Sequence, residues 1–163
     1  MATQTYVPIA TQTISGSSVS SLTFSSIPGT YTDLKLTFTG VLGNSNIINL
    51  TVNGSSSAIY SKYMLYGAGS GTGSSSSAVS STFLQFANGT MTGTYPASYE
   101  LNFLWYANTS LGKTLLVQSS ENNASTGQTV LTMGLINTSS AITSITLSAS
   151  TINVGCTATL WGI

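Results

Sequence analysis

Seven side chains carry the ionic and thiol chemistry of this 163-residue chain: Asp33, Glu100, Glu121, Lys35, Lys62, Lys113 and Cys156. There is no histidine, so the side chain that most often serves as general base and metal ligand near neutral pH is missing. Serine–histidine–aspartate and cysteine–histidine nucleophile systems are excluded with it. Glycoside hydrolysis needs two facing carboxylates. Glu100 falls on the polar side of a strand pattern, and Asp33 follows a turn close to Lys35, which suits capping and solvation better than acid–base work. A calcium site takes about six to eight oxygens, commonly from clustered carboxylates, and these three are scattered. The stretch Gly67–Gly73 is glycine-rich but lacks the lysine and following helix of a phosphate loop. Cys156 reads as a small apolar group beside the last strand. No catalytic residue, metal ligand or cofactor is assigned, and an enzyme is not expected.

Recognition is left to aromatic and apolar side chains. Tyr60, Tyr63, Tyr66 and Tyr95 flank segments of flexible composition. Their rings could stack on sugars or fill a subunit interface, or simply pack within strands. Residues 1–13 read as an extended arm, because Pro8 fixes its own φ and pushes Val7 towards extended geometry. Tyr6, Val7 and Ile9 are apolar anchors on that arm, for the domain's own edge or for a neighbouring subunit. The interface candidates are therefore Tyr6, Val7, Pro8, Ile9, Tyr60, Tyr63 and Tyr66. Asn-x-Ser/Thr triplets begin at Asn49, Asn53, Asn88, Asn108, Asn123 and Asn137. They are expected by chance in so Asn-, Ser- and Thr-rich a chain, and MATQTYVPIATQ lacks the basic and apolar regions of a signal peptide.

The elements that must position these residues are strands. Leu34, Leu36 and Phe38 alternate with Lys35, Thr37 and Thr39; Ile48, Leu50 and Val52 alternate with Asn49 and Thr51. Leu22 and Phe24, then Tyr99, Leu101, Phe103 and Trp105, then Leu131, Met133 and Leu135 are each assigned to an inward face. The closing stretch Ser139–Ile163 reads as two strands, with Thr143, Ile145 and Leu147 on one face of the first and Cys156, Ala158 and Leu160 on one face of the second. Its Trp-Gly-Ile end is expected to be tied into a sheet. Turn signals separate the strands: Ile27-Pro-Gly-Thr30, Gly43-Asn-Ser-Asn46, Asn53-Gly54 and Asn88-Gly-Thr90. Gly67–Ser77 reads as a flexible surface loop, mobile or recognising. No helical stripe is sustained. About nine or ten short strands predict an all-β, antiparallel β-sandwich of jelly-roll type, with the arm over 1–13 and one domain over 14–163.

Charged residues are only 4% of the chain, balanced three against three, where an ordinary soluble domain has about a quarter. An uncharged surface gives little colloidal protection, so much of it is expected to lie against other protein in a permanent assembly; a secreted or sticky monomer is the alternative. Three lysines and no arginine do not suit a phosphate backbone, so no nucleic acid is expected. No apolar run reaches the ~20 residues that span a bilayer, so no membrane is expected either. One cysteine fits synthesis in a reducing cytoplasm.

Several stretches together resemble small virion proteins of tailed bacteriophages, cyanophages among them. They are Tyr6-Val-Pro-Ile-Ala-Thr-Gln-Thr13, Phe24-Ser-Ser-Ile-Pro-Gly-Thr-Tyr-Thr-Asp-Leu34, Tyr106-Ala-Asn-Thr109 with Lys113, Ala141-Ile-Thr-Ser-Ile-Thr-Leu147 and Leu160-Trp-Gly-Ile163. After Val52 the chain departs from the pattern, with Asn53-Gly-Ser-Ser-Ser57 where an acidic turn residue is usual. The resemblance implies a β-sandwich structural protein of the virion, made in the host cytoplasm and placed on the outer capsid surface. It would be a capsid cement or decoration protein, often a homotrimer, with the major capsid protein as partner. A tail-fibre or spike module binding host-surface glycan is the alternative.

Overall fold

A computed structural model describes residues 5–43, 48–69, 71, 73–87, 94–122 and 127–163. The turn signals at Asn44–Asn46 and Asn88–Thr90, and residues 1–4 of the expected arm, lie outside the described residues. Alternating apolar and hydroxyl residues form twelve strands: β1 (Val7–Thr13), β2 (Val19–Phe24), β3 (Leu34–Gly40), β4 (Asn49–Val52), β5 (Tyr60–Ala68), β6 (Gly73–Ser81), β7 (Leu84–Gln85), β8 (Ala97–Leu104), β9 (Lys113–Asn122), β10 (Gly127–Ile136), β11 (Ile145–Ile152) and β12 (Thr157–Gly162). Every strand pairing is antiparallel. The strands make an eight-stranded sheet, β1-β12-β3-β8-β9-β10-β5-β6, and a four-stranded sheet, β2-β11-β4-β7. Among the described residues there is no helix. The chain is an all-β sandwich of two antiparallel sheets.

The core lies between the sheets. Leu34, Leu36 and Phe38 of β3, Tyr99, Leu101 and Phe103 of β8, and Leu115 and Val117 of β9 meet Leu22, Phe24, Leu50, Val52, Ile145 and Leu147 of the small sheet. Each fully buried side chain of this size contributes about 2 kcal/mol. Asn53 and Gly54 take φ of 53° and 64°, and the Ser55 N–H bonds the Val52 carbonyl at 2.9 Å, closing the tight turn that Asn-Gly favours. The Asn53 side chain reaches further. Its Oδ1 accepts from the backbone N–H of Thr143 (2.8 Å) and Ser144 (3.1 Å), and its Nδ2 donates to the Ala141 carbonyl (2.7 Å). One side chain therefore pins the segment leading into β11.

Residues 7–13 form β1, paired along β12 from Val7↔Gly162 to Thr13↔Thr157. Of the two placements open to the N-terminal anchors, they cover the chain's own sheet edge. The C-terminal residues are tied in by β12, and the Ile163 N–H bonds the Asp33 carbonyl at 3.0 Å.

Three expectations are corrected. Gly67–Ser77 is not a free loop: Gly67 and Ala68 end β5, and Gly73 onward is β6, paired with β5. Trp105 does not share the buried face of β8. The strand ends at Leu104, and Trp105 turns out with φ 52°, 61% exposed, its N–H held by Asp33 Oδ1 at 2.7 Å. The faces of β10 are the reverse of those expected. Val130, Thr132 and Ile136 are buried, while Leu131, Met133 and Leu135 are 41%, 57% and 46% exposed. The cause is the small sheet opposite: a Cβ on Gly134 would stand 2.3 Å from Leu84 Cδ1, and Thr132 Oγ1 meets the Phe86 carbonyl. The inner face of β10 has room only for small side chains there.

Candidate functional site

The buried ionisable groups serve the fold. Glu121 is 1% exposed, and its carboxylate accepts from Ser119 Oγ (3.3 Å) and Gln128 Nε2 (3.3 Å), neighbours on the inner face of β9 and β10. It also bonds Tyr99. Burial first, then that carboxylate, pushes the Tyr99 phenol well above its ordinary value. Tyr99 packs edge-on against Phe86 at 5.5 Å between ring centroids. Lys113 is fully buried and donates from Nζ to the carbonyls of Leu111 and Thr138, each at 2.9 Å. Burial lowers its pKa and that of Lys62. Burial likewise pushes the Cys156 thiol up, while Sγ donates to the Val41 carbonyl at 3.2 Å. Cys156 is fully buried and packs within the core cluster. Among the described residues no group of three His, Cys, Asp or Glu is placed to hold a metal.

The remaining surface of interest is the outer face of the large sheet. Register aligns its side chains in ranks across the strands. One rank, Thr13, Thr157, Thr39, Ser98, Ser120 and Thr129, is hydroxyl throughout. The next begins with Thr11, Thr159 and Thr37, passes Glu100 and Gln118, and ends in Leu131 and Leu65. A third runs Trp161, Lys35, Asn102, Leu116, Met133 and Tyr63. The face is thus divided: hydroxyls and one ion pair towards β1, and apolar side chains over β10 and β5, with Leu116 of β9 beside them.

On the polar half, Lys35 Nζ meets Glu100 Oε1 at 2.7 Å and lies 5.3 Å from the centre of the Tyr6 ring. The lysine holds the Glu100 carboxyl below its usual range against the opposing effect of burial, with a further contribution from the Asn102 amide. Tyr6, Lys35, Thr37 and Trp161 line an open cleft of about 360 Å³. On the apolar half, Tyr63 and Leu65 are 61% and 60% exposed beside Leu131, Met133 and Leu135. With about half of each side chain in water, these five expose on the order of 500 Å² of contiguous apolar surface, at the upper end of what a monomer carries.

The seven interface candidates do not form one site. Tyr6 is exposed, Val7 and Ile9 are half-buried and Pro8 is exposed, all at the β1 edge. Tyr63 belongs to the apolar half, six strand positions away, or roughly 25–30 Å at ~4.8 Å per strand. Tyr66 is half-buried on the opposite face of β5 from Tyr63. Tyr60 is unavailable to a partner: it is fully buried, its OH accepting from the Val52 N–H (2.9 Å) and donating to the Ser55 carbonyl (3.3 Å). Sequence reasoning missed Leu65, Leu131, Met133 and Leu135. The signal that could have found them is that β10 carries apolar residues on both faces. No known protein family, characterised protein or solved structure matches this chain.

Proposed function

We propose that the chain is a non-enzymatic structural protein of a tailed-phage virion, a cement or decoration protein on the outside of the head shell. In this reading the apolar half of the large sheet docks on the major capsid protein and bridges neighbouring capsomers, in a homo-oligomer that the resemblance implies to be a trimer. The observation that carries it is the Tyr63–Leu65–Leu131–Met133–Leu135 surface, exposed on a molecule with almost no charge to keep it apart from other protein. Removing on the order of 500 Å² per copy from water is worth about 12 kcal/mol before the costs of association. That is enough to reinforce shell contacts without any chemistry. The strand order β2-β11-β4-β7 facing a sheet that holds β3, β8 and β5 supports a jelly roll with an added hairpin. The test is copy number in purified particles: hundreds per virion is expected, and a handful, or none, overturns the reading.

A second reading has one observation in its favour. The cleft of Tyr6 and Trp161 beside Lys35, Thr37 and the Glu100 carboxylate offers ring faces next to polar groups, as a glycan-binding tail-fibre or spike module requires. Glycan-array binding lost in Trp161→Ala, with a few copies per particle, would select it.

A further inference from the structure

The large sheet ends in two unlike edges. At one end β1 carries Pro8, which has no N–H to offer, and its register slips between Pro8 and Ala10. Both features discourage a further strand from pairing. At the other end β6 has neither defence over most of its length. Its nine residues, GSSSSAVSS, include no charge and no proline. It is exposed except at Ala78 and Ser81, which are half-buried. It runs in unbroken register with β5 from Gly73↔Gly67 to Ala78↔Lys62. The one irregularity, with Ser80 at φ 52°, is confined to its last residues. Alternate residues of such an edge turn N–H and C=O groups to the outside, and short serine side chains leave the backbone open to approach.

We propose that β6 pairs antiparallel with β6 of a second copy of this chain about a twofold axis, joining the two large sheets into one continuous sheet. A strand paired antiparallel with itself is self-complementary, as a twofold contact must be. The absence of charge means that the axis sets no like charges opposite one another. Serine offers no pocket or ionic feature by which a different protein would be selected. Tyr63 and Leu65 lie one strand in from the edge, opposite Ser77 and Ser75, so pairing also brings the apolar halves of two copies side by side. The six regular residues from Gly73 to Ala78 span about 20 Å, and a ladder of that length covers on the order of 400 Å² in all. Lasting interfaces bury about 1,000 Å² or more, so the pair forms weakly in dilute solution and fills as concentration rises. The contact builds even-numbered assemblies; a threefold would have to come from another surface.

The experiment combines light scattering with single-cysteine scanning on the full chain. Cys156 is fully buried, so cysteines placed one at a time from Ser74→Cys to Ala78→Cys report alone. Between ~10 µM and ~1 mM the mass is expected to climb from one chain towards two. Disulfide yield under mild oxidation is expected to peak several-fold at the one position that faces itself across the axis. A mass that does not double over this range, or a flat disulfide profile, overturns the proposal. Ser75→Lys with Ser77→Lys, both exposed, should hold the mass at one chain with an unchanged thermal midpoint; dimers that persist also overturn it. Leu131→Ser should leave the pair intact while weakening attachment to shells, so self-pairing and shell docking fail separately.

Discussion

Met133→Ser, set against Ile136→Ala on the same strand, tests which face of β10 holds the fold and which is free to bind. Met133 is 57% exposed and Ile136 is fully buried. Full burial of such a side chain is worth about 2 kcal/mol, so Met133→Ser removes at most about 1 kcal/mol of folding stability. Ile136→Ala removes the whole transfer free energy and leaves a cavity, costing about 2–5 kcal/mol. Docking reverses the order. The half of each outer side chain still in water, about 100 Å², is worth some 2.5 kcal/mol gross when a partner covers it. Leu131→Ser with Met133→Ser together should then cut shell affinity by about 100-fold even after half that gain is discounted for association costs. Guanidinium unfolding followed by tryptophan fluorescence gives the first comparison, and co-sedimentation with purified shells gives the second. If Met133→Ser destabilises as much as Ile136→Ala, the face assignment is wrong. If the double variant decorates shells at wild-type occupancy, the docking surface lies elsewhere.

Asn53→Ala should cost about 1–3 kcal/mol, because it removes exposed hydrogen bonds from the Thr143 and Ser144 N–H groups, which water replaces in part, and places a Cβ-bearing residue without a compensating side-chain bond at φ 53°; Asn53→Asp, which keeps the acceptor, should cost less in the same denaturation assay. Gly162→Ala puts a Cβ 2.3 Å from the Tyr31 ring and should cost about 1–3 kcal/mol, with Tyr31→Ala recovering part of that loss in a double-mutant cycle. Stability should be flat from about pH 5 to 8, since no histidine titrates there. It should fall above about pH 10. There the unfolded tyrosines ionise near 10.0, while burial raises the pKa of Tyr60, Tyr99 and Tyr106 and keeps them protonated in the native state. The native state then binds more protons, so rising pH favours unfolding. Lys62 and Lys113, lowered by burial, act in the opposite sense as pH rises towards 10.5. Denaturant midpoints across pH 5–11 check the balance, and a transition centred between pH 6 and 7 would contradict it.

Strands with one large apolar face and one small polar face were legible before any coordinates. In β3, Leu34, Leu36 and Phe38 stand against Lys35, Thr37 and Thr39, and only one orientation buries the larger area. β10 was not legible for the opposite reason. Both of its faces carry apolar residues, and size alone chooses Leu131, Met133 and Leu135 over Val130, Thr132, Gly134 and Ile136. The deciding fact is tertiary: Leu84 reaches across from β7 and occupies the space above Gly134, so the smaller set goes inside. A shift of one residue in a strand exchanges its entire faces. β6 was hidden by composition, since a Gly- and Ser-rich stretch has little intrinsic preference for strand and acquires one only beside β5. The residues alone leave Tyr60 open between an interface and strand packing; its hydroxyl finds the Val52 N–H, so the ring is buried and the packing role holds.

The position of β12 between β1 and β3 has a consequence for synthesis. Thr13 and Thr157, paired through their hydroxyls, are 144 residues apart. At a ribosomal rate of about 5–20 residues per second, β1 waits on the order of 7–30 s for its only neighbour in the sheet. For that interval the first strand is a loose end and β3 is an open edge. The β1–β12–β3 side of the large sheet therefore zips up last, after the nascent chain has emerged past Gly162, and a ribosome stalled upstream of Thr157 would leave a partly folded chain exposing the inner residues of β3.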